Sequence, residues 1–312
     1  MVILPLLPAS QSAPGGRLPG PGPLILASAL ALLALSAGLP LSGGVATTLA
    51  CLAMLVFGLP HGALDLELIR ARLSGPWTGM VSLVLLYLGL AGVMYGLWRV
   101  QPVLALAAFI AISVVHFAED WDGAGSRMLE AGLALALLAS PTLLHRSQLD
   151  LIFAGLTGRA GASLVADALS VMAPVAIGLA LVALLSLWRT GRRAQAVGGG
   201  VALIGMVLLP PIAGFALYFC LFHSPRHFRE SLGALDRAAF RSWGPVVIPI
   251  TLAAGAIAAL LFGLEVRAAS IDRITAASFM TLSILTVPHM LAPLLVARLA
   301  GSGTLRRANQ TG

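Results

Sequence analysis

Lysine is missing from this 312-residue chain, and charge of any kind is scarce: Asp, Glu, Lys and Arg together make up 10% of the residues. A water-soluble domain needs a polar shell that so few charges cannot build, so that class is excluded. The nineteen arginines leave a net charge of +7. They form no clustered basic patch, which excludes nucleic acid as a partner and leaves lipid headgroups as the natural counter-charge. The lack of lysine follows the Ala-, Gly- and Leu-rich composition and carries no functional weight. Cysteine is nearly absent too. Cys51 and Cys220 both lie in apolar stretches, so they read as small buried hydrophobes rather than a disulfide or a thiolate metal site. The opening residues, MVILPLLPASQSAPGGRLPGPGP, lack a basic region before their short apolar run. They do not make a signal peptide, and residues 1–23 read as a disordered leader. No soluble domain and no transporter-like repeat is visible.

What is abundant is apolar sequence: 59% of residues are hydrophobic and the mean hydropathy is +0.97. A membrane-crossing helix needs about 20 apolar residues. Such runs fall near 24–41, 45–60, 79–98, 102–118, 128–144, 168–188, 197–222, 244–264 and 274–298. The predicted fold class is all-α: a polytopic integral membrane protein of about nine spans (eight to ten), sitting in the bilayer as a multi-pass protein. Residues 24–298 form one transmembrane catalytic domain, followed by a tail, 299–312. The stretch 147–166 holds Asp150 and Arg159 and reads as a loop or interfacial helix. Pro210-Pro211 kinks or divides the run 197–222. Alternate spans split the arginines almost evenly, so charge does not orient the chain.

Polar chemistry is concentrated in six histidines: His61, His116, His145, His223, His227 and His289. All but His145 lie inside apolar runs or at their ends. A polar group in hydrocarbon needs a partner or it costs a few kcal/mol. A shared metal explains five such imidazoles together, since neutral imidazole is the commonest protein ligand for iron and zinc. His145 is followed by polar loop residues and reads as a solvated bystander. His223 and His227 are four apart, but Pro225 stands between them. Ser224-Pro225 reads as an N-cap and first helical residue, predicting a helix break at 223–225. Pro60-His61 and Pro288-His289 repeat the pairing of proline with histidine, so helix breaks are expected near the metal site. Read with 197–222 as a single span, span parity brings His61, His116 and His223 to one membrane side.

Carboxylates follow the histidines. Asp65 is four after His61, and Glu119 and Asp120 are three and four after His116. Such neighbours orient an imidazole by accepting its other N–H, or ligate the metal themselves. Phe57, Phe117, Trp121, Tyr218 and Phe222 are candidate walls of an apolar substrate channel, or an interfacial aromatic belt. At this level a metal site with an apolar substrate channel competes with a haem- or metal-binding electron carrier, a transporter or assembly protein with structural histidines, and a di-iron desaturase or hydroxylase. The last generally needs about eight clustered histidines, and six are present.

The strings FGLPHGALD, HFAEDW, FHSPRH and VPHM together resemble the Brp/Blh family, the bacteriorhodopsin-related proteins and their homologues. The resemblance runs from about residue 50 to 298, with the four blocks in the family's order. It implies a membrane-bound β-carotene 15,15′-dioxygenase that uses Fe(2+) and O2 to cleave the central double bond of β-carotene into two all-trans-retinal. It implies iron ligands at His61, His116, His223 and His227, with His289 as an additional ligand or site residue. A bacterial inner-membrane location and a functional link to a microbial rhodopsin, which consumes retinal, also follow from the resemblance.

Overall fold

The computed structural model describes residues 20–72, 77–233, 244–264 and 274–292. Among these every regular element is helical: α1 (Gly22–Ser36), α2 (Gly44–Arg72), α3 (Trp77–Val100), α4 (Pro102–Ala118), α5 (Arg127–Ala139), α6 (Arg146–Thr157), α7 (Arg159–Arg189), α8 (Arg193–Leu208), α9 (Pro211–Tyr218), α10 (Ser224–Gly233) and α11 (Gly244–Leu264), then α12 (Ile274–Ala292). Helix satisfies each backbone group within its own segment, as a bilayer requires. Among the described residues four helical stretches are long and apolar enough to cross a membrane: Val81–Val100, Pro102–Trp121, Arg159–Arg189 and Ile274–Ala292. A fifth results if the bent pair Arg127–Leu143 and Arg146–Thr157, which turns through 107°, counts as one span. The remaining apolar helices, among them Gly22–Ser36, Gly44–Pro60 and Arg193–Leu208, are shorter. The chain is thus an all-helical membrane protein.

The outward surface is apolar. Val171, Val175, Leu181 and Val182 of α7 face outward, while Ala166, Ala173, Ala176, Ala180 and Ala183 of the same helix are buried. Small residues toward the protein and branched ones toward lipid reverse the soluble pattern, and they let helices approach closely. The α5–α7 contact is correspondingly tight. A Cβ added at Gly132 would stand 2.5 Å from Leu179 Cβ.

The stretch 147–166 is not a loop. It is helix α6, then Gly158 at φ +78, then the first turns of α7, which starts at Arg159. Its polar residues act as a clamp. Arg146 pairs with Asp150 at 3.1 Å and with Asp167 at 3.0 Å, and donates to Ser170 Oγ at 3.0 Å. The run 197–222 divides at Leu209, whose ψ of 156° ends α8 before Pro210 and Pro211 start α9. In contrast, Pro60 lies inside continuous α2.

The site is framed by α2, the end of α4, the α9–α10 region and α12. Both α9 and α10 pack on α2, as does α11. A Cβ at Gly58 of α2 would stand 3.0 Å from the Phe219 ring and 3.3 Å from Leu282 of α12. A larger residue at 58 would push the Phe219 ring or Leu282 aside, so glycine lets these three elements close around one point. Trp98 of α3 donates to Ser283 Oγ of α12 at 2.6 Å and ties the outer helix in.

Candidate metal centre

His116 occupies the last turn of α4, and the chain then tightens into a 3-10 turn, Glu119–Trp121. The tightening turns Asp120 wholly inward, to 0% exposure, while the Glu119 side chain is half exposed. The second half comes from α9 onward. The predicted break at 223–225 does not occur. Residues Phe219–His223 form a π-turn, and Ser224 is helical at φ −62, ψ −44, its N–H bonded to Phe219 O five residues back. The physical reason is Pro225, which has no N–H to give the turn before it and whose ring collides with a normal α-helical carbonyl. One wider turn absorbs that defect without ending the helix. Ser224 accordingly does not cap. Its Oγ donates to the carbonyl of Phe57 in α2.

The π-turn brings three imidazoles together. One ring nitrogen from each of His116, His223 and His227 lies within 4.8 Å of the others. His116 Nε2 and His223 Nε2 are 3.1 Å apart. His289 on α12 joins them, its ring centroid 4.8 Å from that of His116.

Asp120 fixes this arrangement. Its Oδ2 lies 2.9 Å from His223 Nδ1 and accepts from Tyr218 Oη at 2.6 Å, and its Oδ1 lies 3.6 Å from His227 Nε2. An ionised carboxylate only accepts, so His223 carries its proton on Nδ1. That leaves the Nε2 lone pair of His223 pointing toward His116, the tautomer a metal ligand needs. The Asp120 carbonyl is held as well, by Gln195 Nε2 and Arg226 Nη1, each at 3.0 Å. Arg226 also pairs with Glu230 at 2.9 Å. Burial pushes the Glu230 carboxyl above its ordinary range, and Arg226 beside it opposes the rise.

His61 and Asp65 lie on α2, but their side chains are outside the described residues. Glu119 Oε2 stands 3.9 Å from His116 Nδ1. Of the aromatic candidates, Phe57 is exposed, whereas Phe117, Trp121, Tyr218 and Phe222 are buried. Phe117 meets His223 edge-on at 4.7 Å, and Trp121 stacks on Phe222 at 5.3 Å. These rings pack the centre in place. His145 stands at the bend before α6, half-buried with its Nε2 shielded from solvent, so it is not the solvated residue expected.

Sequence reasoning did not find the apolar cleft beside the centre, of about 650 Å³. Its walls include Phe109 and Ser113 of α4, Phe153 of α6, Phe215 of α9 and Phe279 of α12. Phe215 lies 5.9 Å from Phe117, so one layer of rings separates cleft from histidines. Ser113 is one helical turn before His116. The only sequence signal for this cleft was aromatic residues scattered across four helices, which spacing alone cannot assemble.

Comparison with known proteins agrees with these features. The family model for β-carotene 15,15′-dioxygenase matches residues 52–295. A β-carotene 15,15′-dioxygenase of uncultured marine bacterium 66A03 is 28% identical over 259 residues, covering 77% of this chain and 90% of the relative. A probable β-carotene 15,15′-dioxygenase Blh of Halobacterium salinarum is 27% identical over 290 residues, covering 79% and 83%. No solved structure matches.

Proposed function

Because the chain belongs to the β-carotene 15,15′-dioxygenase family and is an enzyme of that kind, we propose that it cleaves the central 15,15′ double bond of β-carotene with O2, releasing two all-trans-retinal. The observation that carries this reading is the convergence of three ring nitrogens within 4.8 Å, two of them on wholly or nearly buried histidines. Two Nε2 atoms at 3.1 Å, one of them forced to present its lone pair, form a donor set suited to a borderline divalent cation. Asp120, whose Oδ1 has no hydrogen-bond partner among the described residues, supplies negative charge beside those neutral imidazoles. Iron(II) fits, and zinc does not fit a dioxygenase, because zinc has no redox chemistry.

The ligand set in this reading is His61, His116, His223 and His227, with His289 as a further site residue. Iron held there supplies the activation of O2. The chain's own residues do the rest. Asp120 fixes the tautomer of His223 and holds His227 close. Phe117, Phe219 and Phe222 exclude water from the imidazoles. The aromatic cleft beside Phe215 takes the polyene from the bilayer, in which a hydrocarbon of that size resides, and holds its middle toward His116. Asp65 and Glu119 are outer partners of His61 and His116. The catalytic unit spans residues 24–298, crosses a bacterial inner membrane about nine times, and delivers its product to a microbial rhodopsin. Expression in a β-carotene-producing bacterium, with retinal measured by chromatography, tests the reading. Retinal appearing as the orange colour fades supports it. Fading without retinal contradicts central cleavage.

A further inference from the structure

A second pocket opens beside the histidine centre, on the far side of the Asp120 backbone. It is an open pocket lined by Arg192, Arg193 and Arg226, with Gln195, Phe222, Gly191 and Ala194. No carboxylate is among its lining residues. Nothing in carotenoid cleavage uses three guanidinium groups.

Two of the arginines are held in place by backbone. Arg192 Nη1 donates to Asp122 O at 2.7 Å. Its guanidinium lies flat on Gly123, where an added Cβ would stand 2.5 Å from it and where φ is +87. Arg226 Nη1 donates to Asp120 O, and its Nε pairs with Glu230. Arg193 makes no hydrogen bond or ion pair among the described residues; its guanidinium lies over the half-exposed ring of Trp188, 5.4 Å from the centroid. The pocket also receives the N-terminus of α8, sixteen residues long, which begins at Arg193. The free N–H groups and the dipole of a helix start favour an anion. Trp188 and Arg189 end the 31-residue apolar helix α7, so the pocket stands at the depth where a tryptophan-arginine collar meets headgroups.

We propose that this pocket binds the phosphate group of an anionic membrane lipid, with Arg192 and Arg193 as its principal contacts. The guanidinium of Arg192, held on the Asp122 carbonyl, forms a charge-assisted bond at little ordering cost, and that of Arg193, resting on Trp188, has all its hydrogen-bond donors to give. The apolar outer face of α7 takes the acyl chains. Because Gln195 and Arg226 both line the pocket and hold the Asp120 carbonyl, the lipid sits one residue from the group that orients His223.

The test uses the full chain in phosphatidylcholine nanodiscs doped with phosphatidylglycerol, reading lipid retained through purification by mass spectrometry. Affinity for short-chain phosphatidylglycerol in detergent is read alongside. The wild type should retain phosphatidylglycerol over phosphatidylcholine. Arg193→Gln, which breaks no hydrogen bond, should weaken binding roughly tenfold, as loss of a charge-assisted contact implies. Arg192→Gln should do the same or more. Arg159→Gln, which removes equal charge from the exposed opposite end of α7, should leave retention unchanged. Equal losses in all three variants would reduce the effect to bulk charge and overturn the proposal. Unchanged retention in Arg193→Gln and Arg192→Gln would overturn it too. Inorganic phosphate displacing nothing supports a lipid site; inorganic phosphate binding as tightly as the lipid would reassign the pocket to a free anion. None of these readouts depends on retinal formation.

Discussion

Two buried regions meet across the rings of Phe117 and Phe215, and they are built on opposite principles. On one side His116, Asp120, Tyr218 and His223 are linked by polar contacts of 2.6 to 3.1 Å, with His227 3.6 Å from Asp120. On the other, Phe109, Phe153, Phe215 and Phe279 enclose space with Ser113 as one of the few polar groups in the wall. A polar knot in a low-dielectric interior fails as a unit, because each group left without its partner carries its own desolvation cost. An apolar cleft changes by degrees, because its work is done by volume and shape. In the proposed function the knot would supply the fixed geometry that a metal needs, and the cleft the tolerance that a long hydrocarbon needs.

Substitutions sharpen this contrast. The largest effect is expected at the knot: His116→Ala or His223→Ala abolishes retinal formation while the protein still inserts, read by chromatography beside a membrane-fraction blot. Full activity in either variant would remove that residue from the ligand set. Next comes Asp120→Asn, which keeps the shape but can leave the wrong nitrogen of His223 protonated. Metal affinity should fall by about 10–100-fold, measured by competition with a chelator. In the cleft, Ser113→Leu fills space one turn from His116. KM for the carotenoid should rise roughly tenfold, the scale of overpacking a filled site, with metal content unchanged. If metal content fell as well, the two regions would not be separable. Smallest is Tyr218→Phe, which removes one donor from Asp120 while His223 still donates. Activity should fall only a few-fold, and thermal stability should drop by about 1–2 kcal/mol; a loss as large as that of Asp120→Asn would give Tyr218 a direct part.

The knot was partly legible in the sequence and the cleft was not. Spacing placed Asp120 beside His116, but the 3-10 turn at Glu119–Trp121 gives its carboxylate to His223 instead and leaves Glu119 3.9 Å from His116. His223 and His227 could be paired, but the backbone between them could not. Ser224-Pro225 has the composition of a cap, yet the chain answers Pro225 with a π-turn. That turn also brings Tyr218, five residues before His223 and off its face in an α-helix, to the same carboxylate. It therefore passed for a channel wall. Asp150 and Arg159 left 147–166 open between a loop and an interfacial helix, and the structure makes it helical on both sides of Gly158. Asp150 and the neighbouring Arg146 pair with each other, and the exposed Asp167 joins them. The cleft draws on α4, α6, α9 and α12, and no local pattern records which rings of distant helices will meet. The membrane-helical class was plain from composition, since the bilayer imposes that pattern on any chain crossing it, whereas of the nine runs read as spans the described residues hold four or five helices long and apolar enough to cross.

The central claim is that the clustered imidazoles hold a redox-active iron on which the cleavage depends. It is tested most directly by metal analysis of the purified protein, with retinal formation assayed in parallel after chelation and reloading. The account predicts stoichiometric iron in the wild type and none in His223→Ala. It also predicts activity lost on chelation and restored by Fe(2+) but not by Zn(2+). Full retinal formation from metal-free protein, or iron retained undiminished in His223→Ala, would contradict it.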